Sequence, residues 1–143
     1  MTAQPVSTTV HASAVALDGR GVLILGASGT GKSTLALELL ALGARLIADD
    51  QTILEARAEV LFARAPAPIR GLIEARGLGL LRADPVDDVA LSLVVDLDRD
   101  EEDRLPPCRK WQVLGCTIPL VLRVRAPHFP AGIMQYLRAG RAA

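Results

Sequence analysis

The run Gly26-Ala27-Ser28-Gly29-Thr30-Gly31-Lys32-Ser33-Thr34 places a lysine and a serine directly after a glycine-rich turn. That order suits the binding of a polyphosphate. Glycines let successive backbone N–H groups turn inward around an anion, and a helix starting at the same place adds partial positive charge. Lys32 can reach the outer phosphates as a point charge, and the Ser33 hydroxyl can ligate magnesium. The flanks fit as well. The apolar run Gly21 to Leu25 precedes the loop and Leu35 to Leu40 follows it, so the motif sits between a strand and a helix.

A second chemical feature ends the run Arg45-Leu46-Ile47-Ala48-Asp49-Asp50. Gly43 closes the phosphate-loop helix, and the chain returns as a short apolar strand with two carboxylates at its tip. A helix that returns directly to a parallel neighbour brings that tip beside the phosphate loop. Side chains alternate along a strand, so one Asp can face a magnesium ion and the other a reacting hydroxyl. His11 is a third candidate. If Asp18-Gly19-Arg20-Gly21 is a hairpin turn that pairs Leu17 with Val22, the register places His11 opposite Ser28, where it can orient Asp49.

The elements that must position these groups read as alternating strands and helices. Strands are expected at 10–17, 22–25, 44–49, 89–97 and 117–124, with a further pair within 51–62. Helices are expected at 33–42 and 132–139. Ala65 to Pro68 breaks the chain, and Asp98 to Arg104 reads as a charged loop ended by Pro106-Pro107. Strands on both sides of a phosphate-loop helix make an α/β sheet. Arg123 and Arg125 alternate with apolar residues, which puts them on a solvent face.

Composition narrows the function classes. The chain has 143 residues, half of them hydrophobic, which suits one domain over 1–143. A formal net charge of zero gives no electrostatic footprint for nucleic acid, and aromatic residues are too few for a base-stacking platform. No apolar run spans a bilayer, and the N-terminus lacks a signal-peptide core, so a cytoplasmic location is expected. Cys108 and Cys116 lack metal-like spacing and read as reduced thiols. There is no asparagine, so the Asn-Lys-x-Asp motif that reads guanine is absent and a GTPase switch is disfavoured.

Four segments together resemble bacterial HPr kinase/phosphorylase. They are His11, the phosphate loop, the run Leu39 to Asp50, and Leu72-Ile73-Glu74-Ala75-Arg76-Gly77-Leu78-Gly79-Leu80-Leu81. The Glu-x-Arg-Gly-Leu-Gly stretch is more specific than the phosphate loop. Asp103-Arg104-Leu105 also resembles that family's Asp-Arg-Leu-Gly, with Pro106 in place of the glycine. The resemblance covers about residues 8–120 and is to the short alphaproteobacterial type made of the catalytic domain alone. It implies a phosphate-loop-containing mixed sheet of the HPr kinase/phosphoenolpyruvate carboxykinase-like type. It also implies transfer of the ATP γ-phosphoryl to a serine of an HPr-like phosphocarrier protein, and a homo-oligomer, a hexamer in the family.

Carried over residue by residue, the resemblance makes Asp49 the general base and His11 the group that orients it. Gly26 to Thr34 hold the phosphates of ATP. Ser33, Asp50 and Glu74 serve Mg2+, and Arg76 and Arg104 stabilise the transferring phosphoryl group. The family's basic loop is not recognisable after Ile118-Pro119, which leaves reverse phosphorolysis open. Asp96, ending Leu93-Val94-Val95-Asp96, is the metal ligand a generic phosphate-loop ATPase would use instead. A regulatory nucleotide-binding module and a small-molecule kinase are the alternative functions.

Overall fold

Asp18-Gly19 is a two-residue turn, and its conformation sets the register of everything near the site. Asp18 and Gly19 both take positive φ, 50° and 76°, as the tightest hairpins require. Strand β2 (Ala12–Leu17) therefore pairs with β3 (Arg20–Leu25) so that Leu17 faces Arg20 and Ala12 faces Leu25. The expected pairing of Leu17 with Val22 is two residues out, because it assumed a four-residue turn. His11 is consequently not aligned with Ser28.

The structure is a computed structural model and describes residues 6–143; the first five residues of the expected unit 1–143 lie outside the described residues. The expected strand 10–17 is two strands. β1 (Val6–Val10) and β2 are separated by a bend at His11. β4 (Arg45–Ala48) and β5 (Thr52–Arg57) are separated by a matching bend at Asp49–Gln51. The two bends face each other. Val10 pairs with Thr52 and Ala14 pairs with Ala48, so one antiparallel ribbon continues in a single register through the bend.

That ribbon curls a nine-stranded sheet of order β1-β5-β6-β9-β3-β2-β4, with β10 and β11 attached through β9. β6 (Val60–Arg64) pairs with the start of β9 (Val89–Asp100), and β11 (Cys116–Arg123) pairs with its end. β3, β9 and β11 run parallel, and β10 (Arg109–Val113) closes against β11. β9 runs three residues beyond the expected 97. Asp98 to Asp100 are strand rather than loop because Asp100 pairs with Arg123 of β11.

The sheet is mixed, and helices α1 (Lys32–Ala41) and α2 (Phe129–Ala139) cover one face. Leu35 and Leu39 of α1 and Ile133, Met134 and Leu137 of α2 pack on Val22, Ile24, Leu93 and Val95. A second core lies inside the curl, where Leu23, Ile47, Leu54, Leu61 and Val94 meet. Alternate residues of β3 thus serve opposite cores, as period-two alternation demands. A small hairpin, β7 (Leu72–Ala75) with β8 (Gly79–Arg82), stands apart from the main sheet and packs on α1.

β4 is parallel to β3 but is not its neighbour. β2 lies between them and pairs with both, so the hairpin occupies the edge of β3 that a direct return would have used. The expected direct βαβ return is therefore replaced by a crossover past β2.

Candidate active site

The phosphate loop is built by backbone conformation. Gly31 takes φ 99° at the start of α1, in the left-handed region that favours glycine, and no side chain caps the helix. The N–H groups of the first helical turn have no partner within the helix and point at the loop's mouth. Gly26 is required by contact. A Cβ there would lie 2.4 Å from the Thr30 hydroxyl oxygen. That hydroxyl donates to the Ala27 carbonyl at 2.7 Å and tightens the turn. Asp98 accepts the Ala27 N–H at 3.0 Å and braces the loop from β9. Lys32 is 6% exposed, and its ammonium donates to the carbonyls of Gly26 and Ala27 at 2.8 and 3.2 Å. It spans the loop on its own backbone.

The two carboxylates have different surroundings. Asp49 is 7% exposed, and both its oxygens are engaged. The Ser33 and Ser13 hydroxyls donate to Oδ1 at 2.6 and 2.9 Å, and the Glu74 N–H donates to Oδ2 at 3.0 Å. Asp50 turns the other way. It has φ 69°, and the Gln51 N–H donates to the Asp49 carbonyl at 2.8 Å. An i to i+2 bond around a central residue with positive φ is the rare, strained form of γ-turn, a conformation costing about 1–3 kcal/mol. The result is that Asp50 is exposed and its Oδ1 lies 2.5 Å from His11 Nε2.

The expected contact between His11 and Asp49 is thus replaced by one between His11 and Asp50. The cause is the bend: β1 and β2 break at His11, opposite the γ-turn, while Ser13 on β2 faces Asp49. Ser13 was not singled out from the sequence. It is fully buried, donates to Asp49, and its hydroxyl oxygen accepts the Asp50 N–H at 3.1 Å. Its signal was its position two residues after His11, on a strand that intrudes between β3 and β4.

A cavity of about 260 Å³ collects Ser28, Gly29, Gly31, Lys32, Ser33 and Thr34 with Asp50, Glu74 and Arg76. Glu74 and Arg76 reach it from the β7–β8 hairpin, and both are exposed. Gly26, Ala27 and Thr30 form the loop behind it. Arg104 does not line it. It lies on an exposed turn between β9 and β10. Asp96 serves its own strand end, accepting the Asp98 N–H at 2.8 Å and Arg99 Nε at 3.3 Å. Arg123, expected to face solvent, instead donates to the Thr30 carbonyl of the loop, while Arg125 pairs with Asp100 at 2.9 Å.

No group of three or more His, Cys, Asp or Glu side chains among the described residues could hold a metal by itself. The adjacent Ser33 hydroxyl and Asp49 carboxylate are instead one pair of hard oxygen donors beside a phosphate loop. That suits magnesium, which usually takes one or two protein ligands together with substrate phosphates.

A family model described as the HPr Serine kinase C-terminal domain matches residues 3–121. The HPr kinase/phosphorylase of Caldanaerobacter subterraneus subsp. tengcongensis is 39% identical over 104 residues, 67% of this chain and 34% of that protein. That of Bordetella pertussis is 41% identical over 112 residues, 70% of this chain and 36% of that protein. The chain therefore spans about a third of the length of the curated relatives it matches. The structure of the Hpr(Ser) kinase/phosphatase from Coxiella burnetii matches with a TM-score of 0.77 at 26% identity, covering 92% of this chain and 94% of that one. No helix among the described residues is long and apolar enough to cross a membrane.

Proposed function

The chain belongs to the HPr serine kinase C-terminal-domain family, and on that premise we propose that it transfers the γ-phosphoryl group of ATP to a serine hydroxyl of an HPr-like phosphocarrier protein. The observation that carries the proposal is the split of Asp49 and Asp50 at the mouth of a phosphate loop. One carboxylate is bonded to the loop serine, and the other is exposed beside an imidazole.

The roles follow from those surroundings and exchange the two aspartates relative to the expectation. Asp50 is the general base. It is exposed, lines the cavity, and can accept the proton of an incoming hydroxyl. His11 fixes the orientation of that carboxylate through Nε2. Asp49 and Ser33 would hold magnesium, which when bound neutralises charge on the phosphate oxygens. Ser13 keeps Asp49 turned inward. Lys32 swings from the loop carbonyls to the outer phosphates, and Arg76 stabilises the transferring group from the hairpin side. The serine oxygen forms its bond to the γ-phosphorus as the bond to the β-bridging oxygen breaks. The proton goes to Asp50, and ADP leaves. Glu74 shapes the site through its N–H bond to Asp49, with its side chain at the cavity wall.

The test is incubation with magnesium-ATP and HPr, followed by intact mass and acid treatment. The expected product is HPr carrying one phosphoryl group that survives acid, as a phosphoserine does. Unmodified HPr, or an acid-labile adduct typical of phosphohistidine, overturns the proposal.

A further inference from the structure

The Thr30–Gly31 peptide of the phosphate loop is held from outside the loop. Arg123, the last residue of β11, donates to the Thr30 carbonyl, and its guanidinium lies 3.6 Å from where a Gly31 Cβ would stand. The backbone is shaped to allow this reach. Leu122 stands opposite Asp96 of β9, but Arg123 stands opposite Asp100, so residues 97–99 bulge out of the ladder at this point. The Glu101 N–H donates to the Arg123 carbonyl at 2.8 Å and pins its main chain. The half-buried side chain is thus launched from a fixed base toward the loop.

A peptide plane held at its oxygen has the direction of its N–H fixed. No peptide among the described residues is cis, so the Thr30 C=O and the Gly31 N–H point in opposite directions. Gly31 has φ 99°, and glycine changes φ at little cost, so an untethered peptide here could turn its carbonyl toward the anion instead. Arg123 lines a second cavity, of about 370 Å³, that shares Gly31 and Thr34 with the phosphate cavity but lies on its other side. Arg123 is not in the lining of the phosphate cavity, so drawing the carbonyl toward it turns the Gly31 N–H toward the phosphates. The other arm of the loop uses the same device. Asp98 accepts the Ala27 N–H from outside, and the carbonyl at the far end of that peptide, Gly26, faces inward to accept Lys32 at 2.8 Å.

We infer that Arg123 is a positioning residue of the phosphate loop: by holding the Thr30 carbonyl it keeps the Gly31 N–H aimed at the phosphates before any ligand arrives. The inference rests on the phosphoryl-transfer reading above and goes beyond it, since that reading gives Arg123 no part. A donor already aimed costs no reorganisation when charge arrives or develops. Arg123 acts through the backbone, so its effect falls on every ligand that brings phosphates to the loop, with or without a nucleoside.

Two measurements on the full chain test it. The first compares the unaltered protein with Arg123→Met and Arg123→Lys for binding of magnesium-ATP and of magnesium pyrophosphate. Arg123→Met should weaken both ligands about tenfold or more, the scale of one charge-assisted hydrogen bond. Arg123→Lys keeps a charge and a donor and should restore part of the loss. Unchanged affinity in Arg123→Met, or weakening of ATP alone, overturns the inference. The second reads the amide-to-α proton couplings of Gly31 by NMR in the ligand-free, isotope-labelled protein. The unaltered chain should give couplings that fit a φ near 99°, and Arg123→Met should give averaged ones. Couplings that stay the same in Arg123→Met overturn the inference even where affinity falls, because the guanidinium charge alone then accounts for the loss. Where Arg123→Met does not fold, Arg123→Lys carries both measurements, with smaller changes expected in the same direction and no change overturning the inference. The couplings need no ligand, so failure of the unaltered protein to bind ATP overturns the kinase reading as a result distinct from these.

Discussion

At the scale of single residues, the site turns on one backbone torsion. Asp49 and Asp50 are chemically identical and adjacent, yet the positive φ of Asp50 gives them separate neighbourhoods. Asp49 faces the loop serine and a buried serine, and Asp50 faces a histidine and open solvent. The two conservative amides should therefore fail differently. Asp50→Asn removes the proposed base and is expected to cut transfer about a hundredfold or more with ATP affinity largely kept. Asp49→Asn is expected to raise the magnesium concentration needed for half-maximal transfer by about tenfold or more, since even partners one layer further out commonly cost that much. Steady-state rates across a magnesium titration distinguish them, and a reversed pattern sinks the assignment. The sequence made the carboxylate pair, the lysine and the serine legible because their spacing is itself the chemistry. It could not show which Asp does which, because non-glycine residues rarely take positive φ and nothing in an Asp-Asp pair announces it.

At the scale of elements, β2 is the strand that shapes the site. By lying between β3 and β4 it brings Ser13 and His11 to the carboxylates, a role that a direct βαβ return would have denied it. Hydrophobic alternation revealed β2 and β4 as strands but not their order. Order depends on which strand occupies the edge of β3, a tertiary fact. The bend at His11 was equally hidden, since residues 6–17 keep strand character throughout. The sheet half beyond that bend has its own electrostatic lock. Glu55 on β5 accepts Arg57 Nε at 2.6 Å and Arg64 Nη1 at 2.8 Å, and Arg57 also stacks 4.5 Å above Phe62. The hydrogen bond from Arg57, then that from Arg64, holds the Glu55 carboxyl down from its ordinary 4.5 to about 2. A depressed carboxylate stabilises the fold fully above its unfolded value, and that contribution fades as pH falls from 4.5 toward about 2. Thermal midpoints measured over that window should therefore fall less steeply with acid in Glu55→Gln than in the unaltered chain. Parallel acid limbs would show that the β5–β6 pair carries no such linkage.

At the scale of the whole molecule, one curled sheet presents two joined cavities, one on each side of the phosphate loop, and their charges bear on reaction direction. The relatives are named kinase/phosphorylase, so the reverse reaction, attack of inorganic phosphate on a phosphoserine, is the natural question. Asp50 and His11 would serve both directions, as base forward and as acid in reverse, so the chemistry does not separate them. Retention of the small anion does. Lys32 and Arg76 are the cationic side chains lining the phosphate cavity, and Asp50 and Glu74 line it too, so the side chains offer no net positive charge. Arg104, which the family resemblance placed here, lies elsewhere. A triphosphate would engage more of the loop's backbone N–H groups than a single free phosphate could. We therefore expect forward transfer to exceed phosphorolysis at equal millimolar ATP and phosphate. Phosphoserine-HPr incubated with phosphate and magnesium should release pyrophosphate slowly, and Glu74→Gln, which removes one opposing charge, should speed that release more than it alters the forward rate. Rapid pyrophosphate release from the unaltered chain, indifferent to Glu74→Gln, would show that the cavity's charge balance does not set the direction.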